Sequence, residues 1–200
     1  MSKTVMTSLS PRAARILGAG WTARLVAALT LTVTAAMSSA QEFTLTSETL
    51  NAGGRMPMEQ VANACGGENI SPALSWSGAP EGTKSFALMA YDPDAPTGSG
   101  WWHWVVFNIP ADVNSLPAGA GEPKNGLIPE AIQARNDLGV LGYGGACPPK
   151  GHGDHRYQFR IFALGVEQLP LDEMASPAMV GFNVNANKLA EAELEVTWGR

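Results

Sequence analysis

From residue 43 onward, apolar positions come in short runs separated by glycine, proline and asparagine. That is the spacing of strands joined by turns, not of long helices. Six runs predict strands, at 43–46, 73–76, 85–91, 102–108, 157–164 and 194–198, so the predicted fold class is mainly β. One segment departs from the pattern. "SPAMVGFNVNANKLAEAE" opens on a Ser176 cap with Pro177 at the first helical position. Its Val180, Val184, Leu189 and Ala192 then recur at roughly helical spacing, which predicts a late helix before the last strand. Residues 111–146 make a long Gly-, Pro- and Asn-rich stretch, of a length that is often functional, with "AIQARND" inside it as a candidate short strand.

Strand parity places the polar exceptions. In "WWHWVVFN", Trp101, His103, Val105 and Phe107 fall on one face and Trp102, Trp104 and Val106 on the other. Both faces are apolar, so this strand is expected to be covered on both sides. In "HRYQFRIFAL", His155, Tyr157, Phe159, Ile161 and Ala163 share a face, and Arg156, Gln158 and Arg160 are expected in solvent. Asp92 extends the face of Phe86, Leu88 and Ala90. Three strands thus carry an ionisable residue near one end of an apolar face. If those ends meet, Asp92, His103 and His155 converge.

The first forty residues form a different object. Lys3, Arg12, Arg15 and Arg24 precede an apolar run at 25–37, and "SSA" supplies small residues up to Ala40. A basic lead, an h-region of about a dozen residues and a small-residue exit describe a secretory signal peptide, cleaved after Ala40. The run is shorter than the roughly 20 apolar residues of a membrane span. The expected layout is therefore a leader at 1–40 and one domain at 41–200, in the periplasm or secreted. Removing the leader changes the net charge from −5 to −9, because all 18 acidic residues remain with nine basic ones. Such a surface argues against nucleic acid and against anionic membranes as partners. Cys65 and Cys147, an even pair in an exported chain, are expected to form a disulfide, although two independent thiols are also compatible with the sequence.

The candidate chemistry sits in two stretches. The first, "YDPDAPTGSGWWHWVVFNIP", holds Asp92, Asp94 and His103 beside three tryptophans; the second, "CPPKGHGDHRY", holds His152 and His155. In the second, Pro148 and Pro149 set an extended entry, and Gly151 and Gly153 permit a close backbone approach with N–H groups free for an oxyanion. Aspartates beside a histidine favour the imidazolium, which can donate charge-assisted bonds to phosphate. Tryptophan walls would exclude water and strengthen those bonds. Two other readings stay open. Histidines with aspartates can ligate zinc, but no compact His or Cys spacing is present. A Cys147–His155 pair could act as a nucleophile, but no G-x-S-x-G elbow accompanies it. No cofactor is indicated, and the residues present no convincing catalytic constellation.

"DPDAPTGSGWWHWVVFN" and "CPPKGHGDHRYQFRIFAL" resemble the two signature regions of the phosphatidylethanolamine-binding protein family. "GGENISPALSWSGAP" resembles the preceding segment in its bacterial YbhB/YbcL, or Raf kinase inhibitor-like, branch. The resemblance implies two antiparallel sheets with a few short helices and a small anion pocket at the strand ends. It implies ligand-binding residues Asp92, Asp94, Pro96, Trp101, His103, Pro148, His155 and Tyr157. It also implies binding of phosphate-, phosphoethanolamine- or carboxylate-like groups, and inhibition or signal modulation of a protein target such as a serine protease, rather than catalysis. Two departures bear on selectivity. The sequence ends at "LEVTWGR", where eukaryotic members often have a pocket-covering helix with a tyrosine, and Cys147 stands where they often have glycine.

Overall fold

The computed structural model describes residues 42–125 and 130–200; the expected leader and its cleavage point lie outside them. The strands are β1 (Thr44–Thr46), β2 (Leu74–Ser77), β3 (Ser85–Asp92), β4 (Trp101–Pro110), β5 (Ser115–Leu116), β6 (Ile132–Gln133), β7 (Asp154–Leu164) and β8 (Lys188–Gly199). One α-helix, α1 (Pro177–Asn187), and three short 3-10 turns complete the described elements. Two antiparallel sheets result, ordered β1-β2-β5 and β6-β4-β3-β7-β8. Each of the six expected strands is present, and "AIQARND" does contribute β6.

The larger sheet buries both of its faces. Phe86, Leu88, Trp104, Val106, Phe159, Ile161, Leu194 and Val196 pack with Leu45, Leu74, Trp76 and Leu116 of the smaller sheet. On the opposite face Ala87, Met89, Val105, Phe107, Phe162 and Leu164 pack with Val180 and Val184 of α1. Each such large side chain removed from water contributes about 1.5–3 kcal/mol. The helix starts where expected, with the Ser176 hydroxyl accepting from the Met179 N–H. It ends sooner. Leu189 and Ala192 belong to β8, not to the helix, because Lys188 to Gly199 pairs along almost the whole of β7. The helix closes at Asn187, in a last turn holding Asn183, Asn185 and Asn187, poor helix formers, and the ladder takes over at Lys188.

Parity held in β3 and β7 but not throughout β4. The β3–β4 register runs Met89↔Val105 and Ala90↔Trp104, then slips to Tyr91↔Trp102 and Asp92↔Trp101. His103 is the extra residue of that β-bulge. The slip keeps Trp101 and His103 together while moving Val105 and Phe107 to the helix-covered face and Trp104 and Val106 to the sandwich core. A second irregularity follows near Asn108, whose φ of 58° is left-handed and whose side chain clasps Leu169 through both its N–H and C=O. Gln158 also departs from expectation. It is buried rather than solvated, held by Glu195 and Arg160.

Candidate functional site

The end of β3 and the starts of β4 and β7 are neighbours at one end of the larger sheet's central strands. There Asp92, His103 and His155, each buried, do converge. The cavity they bound measures about 390 Å³ and is also lined by Pro96, Trp101, Pro148 and Tyr157. Seven of the eight residues expected at a pocket are therefore brought together.

The eighth is turned away. Asp94 receives the Arg156 guanidinium at 2.8 and 2.9 Å and the Arg156 backbone N–H at 2.9 Å. Those bonds, the side-chain ones foremost, hold its carboxyl down at about 2. Asp94 braces the turn against β7 and is absent from the cavity wall. The glycine loop also departs from expectation. The Gly151 N–H donates to Arg200 O and the His152 N–H to Pro149 O, so these donors are spent within the fold. His152 is exposed, its ring 5.7 Å from that of His155, and does not line the cavity.

Each cavity histidine is anchored through Nδ1. His155 Nδ1 donates to Asp92 Oδ2 at 2.7 Å, and Asp92 Oδ1 accepts the Asp94 N–H at 2.8 Å. Both Asp92 oxygens are thus engaged, and the carboxylate serves to orient His155. His103 Nδ1 donates to Gly144 O at 2.7 Å, while the Gly144 N–H returns to His103 O at 2.8 Å. The bulge freed that His103 carbonyl from the ladder, and Gly144 satisfies it. With both Nδ1 atoms donating, Nε2 of each ring has no hydrogen-bond partner among the described residues. Tyr157 completes the polar set. Its ring meets His103 edge to face at 5.2 Å, and its buried hydroxyl has no hydrogen-bond partner among the described residues. Burial, reinforced by nearby carboxylates, pushes that phenol well above its usual range.

Burial likewise lowers His103 from its usual 6.5, opposed by the Gly144 carbonyl. The fold therefore prefers the neutral ring. Its contribution to stability is complete above the unfolded value and is lost as pH falls below it. Denaturant unfolding of His103→Gln should show a flatter decline between about pH 7 and pH 5 than the parent; parallel profiles would contradict this.

Several wall residues escaped the sequence reading. Ala62, Ala64, Leu138 and Gly145 line the cavity from two segments distant in sequence. These are joined where the Ala62 N–H donates to Ala146 O and where Cys65 and Cys147 form the expected disulfide. Cys147 lines the cavity with its sulfur bonded, which removes the thiolate that a Cys147–His155 nucleophile would need. Asn69 orients this wall, its Oδ1 accepting the Gly145 N–H at 2.7 Å; its place in "GGENISP" was the available clue. Among the described residues, no group of three or more His, Cys, Asp or Glu is arranged to hold a metal ion.

Comparison with known proteins places this geometry. Residues 46–199 match the family described as phosphatidylethanolamine-binding protein. UPF0098 protein YbcL of Escherichia coli K12 is 52% identical over 160 residues, covering 78% of this chain and 87% of YbcL. UPF0098 protein YbhB of the same organism is 51% identical over 152 residues, covering 75% of this chain and 96% of its own length. The crystal structure of E. coli YbcL superposes with a TM-score of 0.77 at 51% identity, covering 80% of this chain and 99% of that one.

Proposed function

The chain belongs to the phosphatidylethanolamine-binding protein family, and on that footing we propose that it is an exported, non-enzymatic binder of a small oxyanion. The observation that carries the reading is the buried Tyr157 hydroxyl, without a partner among the described residues, in a cavity walled by two histidines anchored through Nδ1. A buried donor left unpaired costs about 1–3 kcal/mol, and a bound oxyanion relieves that cost. In its protonated form the His155 ring donates from Nε2 as well, giving the anion a charge-assisted bond. Export is supported by the leader-like pattern before Ala40 and by the Cys65–Cys147 disulfide, which suits an oxidising compartment.

Tyr157→Phe is the clean test, because it deletes one oxygen and no intramolecular bond. Thermal stability should stay level or rise slightly, while calorimetric affinity for acetate or phosphate falls about tenfold. Unchanged affinity for both anions would refute the assignment.

A further inference from the structure

We propose that a second cavity, beside the 3-10 turn Met58–Gln60, binds a primary ammonium group carried on a short alkyl chain. It shares no wall residue with the cavity of the two histidines, so the two readings stand or fall separately. The cavity measures about 290 Å³ and is lined by Thr49, Pro57, Glu59, Gln60, Ile70 and Ala118. Small-molecule pockets start at about 300 Å³, so an occupant here is short.

Gln60 is the unsatisfied group. It is only 2% exposed, yet its side-chain amide has no hydrogen-bond partner among the described residues, and its Oε1 is buried. The backbone around it has nothing to offer. Gln60 N–H donates to Pro57 O at 3.1 Å, Gln60 C=O accepts the Tyr143 hydroxyl at 2.7 Å, and Ile70 N–H donates to Glu59 O at 2.7 Å. Folds leave few buried amides in that state, because the lost hydration is not repaid. The last torsion of glutamine is broad and two-fold, so the amide can face the cavity with its oxygen.

The neighbours of Gln60 select a cation. Thr49 Oγ1 takes the Ala73 N–H at 3.2 Å and keeps a lone pair, since the Ser47 hydroxyl sends its proton to Ala73 O instead. Glu59 is exposed, and its carboxylate pairs with no described residue. Gln60, Thr49 and Glu59 thus supply three acceptors, the number that the three N–H of a primary ammonium require. No Lys, Arg or His lines the cavity. Arg55, the nearest basic residue in sequence, is held by Asp154 and by the Gly199 carbonyl. An anion would meet Glu59 with no counter-charge, whereas a cation is drawn by a chain whose net charge is −5. Pro57, Ile70 and Ala118 give the alkyl chain its apolar wall. A free alkylamine and a lysine side chain both present this group.

The test is ¹H–¹⁵N NMR of the protein titrated with n-butylammonium, N-acetyl-lysine methylamide, n-butanol, and tetramethylammonium, which has no N–H. Both amines should move the Gln60 side-chain NH2 and the Ile70 and Ala118 amide signals along saturating curves. The tighter of the two names the source of the group. Gln60→Met should weaken n-butylammonium about tenfold, with an unfolding midpoint that holds or rises. Glu59→Gln, at an exposed position with no side-chain bond to lose, should weaken it about fivefold in an intact fold. The inference is overturned if neither amine saturates these signals, or if tetramethylammonium or n-butanol does so equally well. Unchanged affinity in Glu59→Gln overturns it too.

Discussion

Replacing Cys65 and Cys147 together with alanine should lower folding stability by about 4.5 kcal/mol, the loop-closure cost of a cross-link spanning this separation. The bond joins residues 82 positions apart. For a domain of this size the thermal midpoint should fall by roughly 10–15 °C. The pocket should suffer with it. Cys65 ends the 3-10 turn that carries Ala64, and Cys147 leads into Pro148, so the bond ties two cavity walls together. Urea unfolding of the oxidised parent, the reduced parent and the double variant checks this. Reduced parent and variant should coincide, well below the oxidised protein; three superimposed curves would contradict the account.

Gly145→Ala should be nearly as damaging, by about 3 kcal/mol. A Cβ at this position would fall against the Ala62 nitrogen, the Gln60 carbonyl oxygen and the Val61 carbonyl carbon, all of them backbone atoms. No side chain can swing aside. Nor can the backbone part easily, because Val61 and Ala146 form a bridge and Ala62 N–H donates to Ala146 O at 3.1 Å. The Gln60 carbonyl also accepts the buried Tyr143 hydroxyl at 2.7 Å. Anion affinity should drop in parallel, since Gly145 is itself part of the wall. Gly151→Ala offers the comparison. Its added Cβ meets nothing within 4 Å, so its cost is confined to the left-handed backbone at φ 80°. Equal unfolding midpoints for the two variants would rule out the close approach as the cause.

The alternation of β3 and β7 was legible in the sequence because both strands keep a strict two-residue period against one core. It placed Asp92, His155 and Tyr157 correctly. The β4 bulge was not legible. Nothing in "WWHWVVFN" distinguishes an extra residue from an ordinary one, and the reason for it lies 41 residues away at Gly144. Asp94 misled for a similar reason. The family resemblance of its motif spoke for the pocket, whereas its partner Arg156 is 62 residues on. The late helix and β8 overlap in their patterns, since Leu189 and Ala192 suit either period; the open edge of β7 decided between them. Within the long stretch at 111–146, the apolar tip at Leu138 carried no motif, and only its place on the cavity wall gives it meaning.

The most direct test of the central claim, that His155 offers Nε2–H to an oxyanion while Asp92 holds its Nδ1 fixed, is long-range ¹H–¹⁵N NMR of the histidine rings during an acetate titration. In the free protein His103 should be the Nδ1–H tautomer, as its bond to Gly144 O requires. Added acetate should shift the Nε2 resonance of His155 along a saturating curve, leaving its Nδ1 signal nearly in place. Acetate binding that leaves His155 Nε2 unmoved would contradict the account.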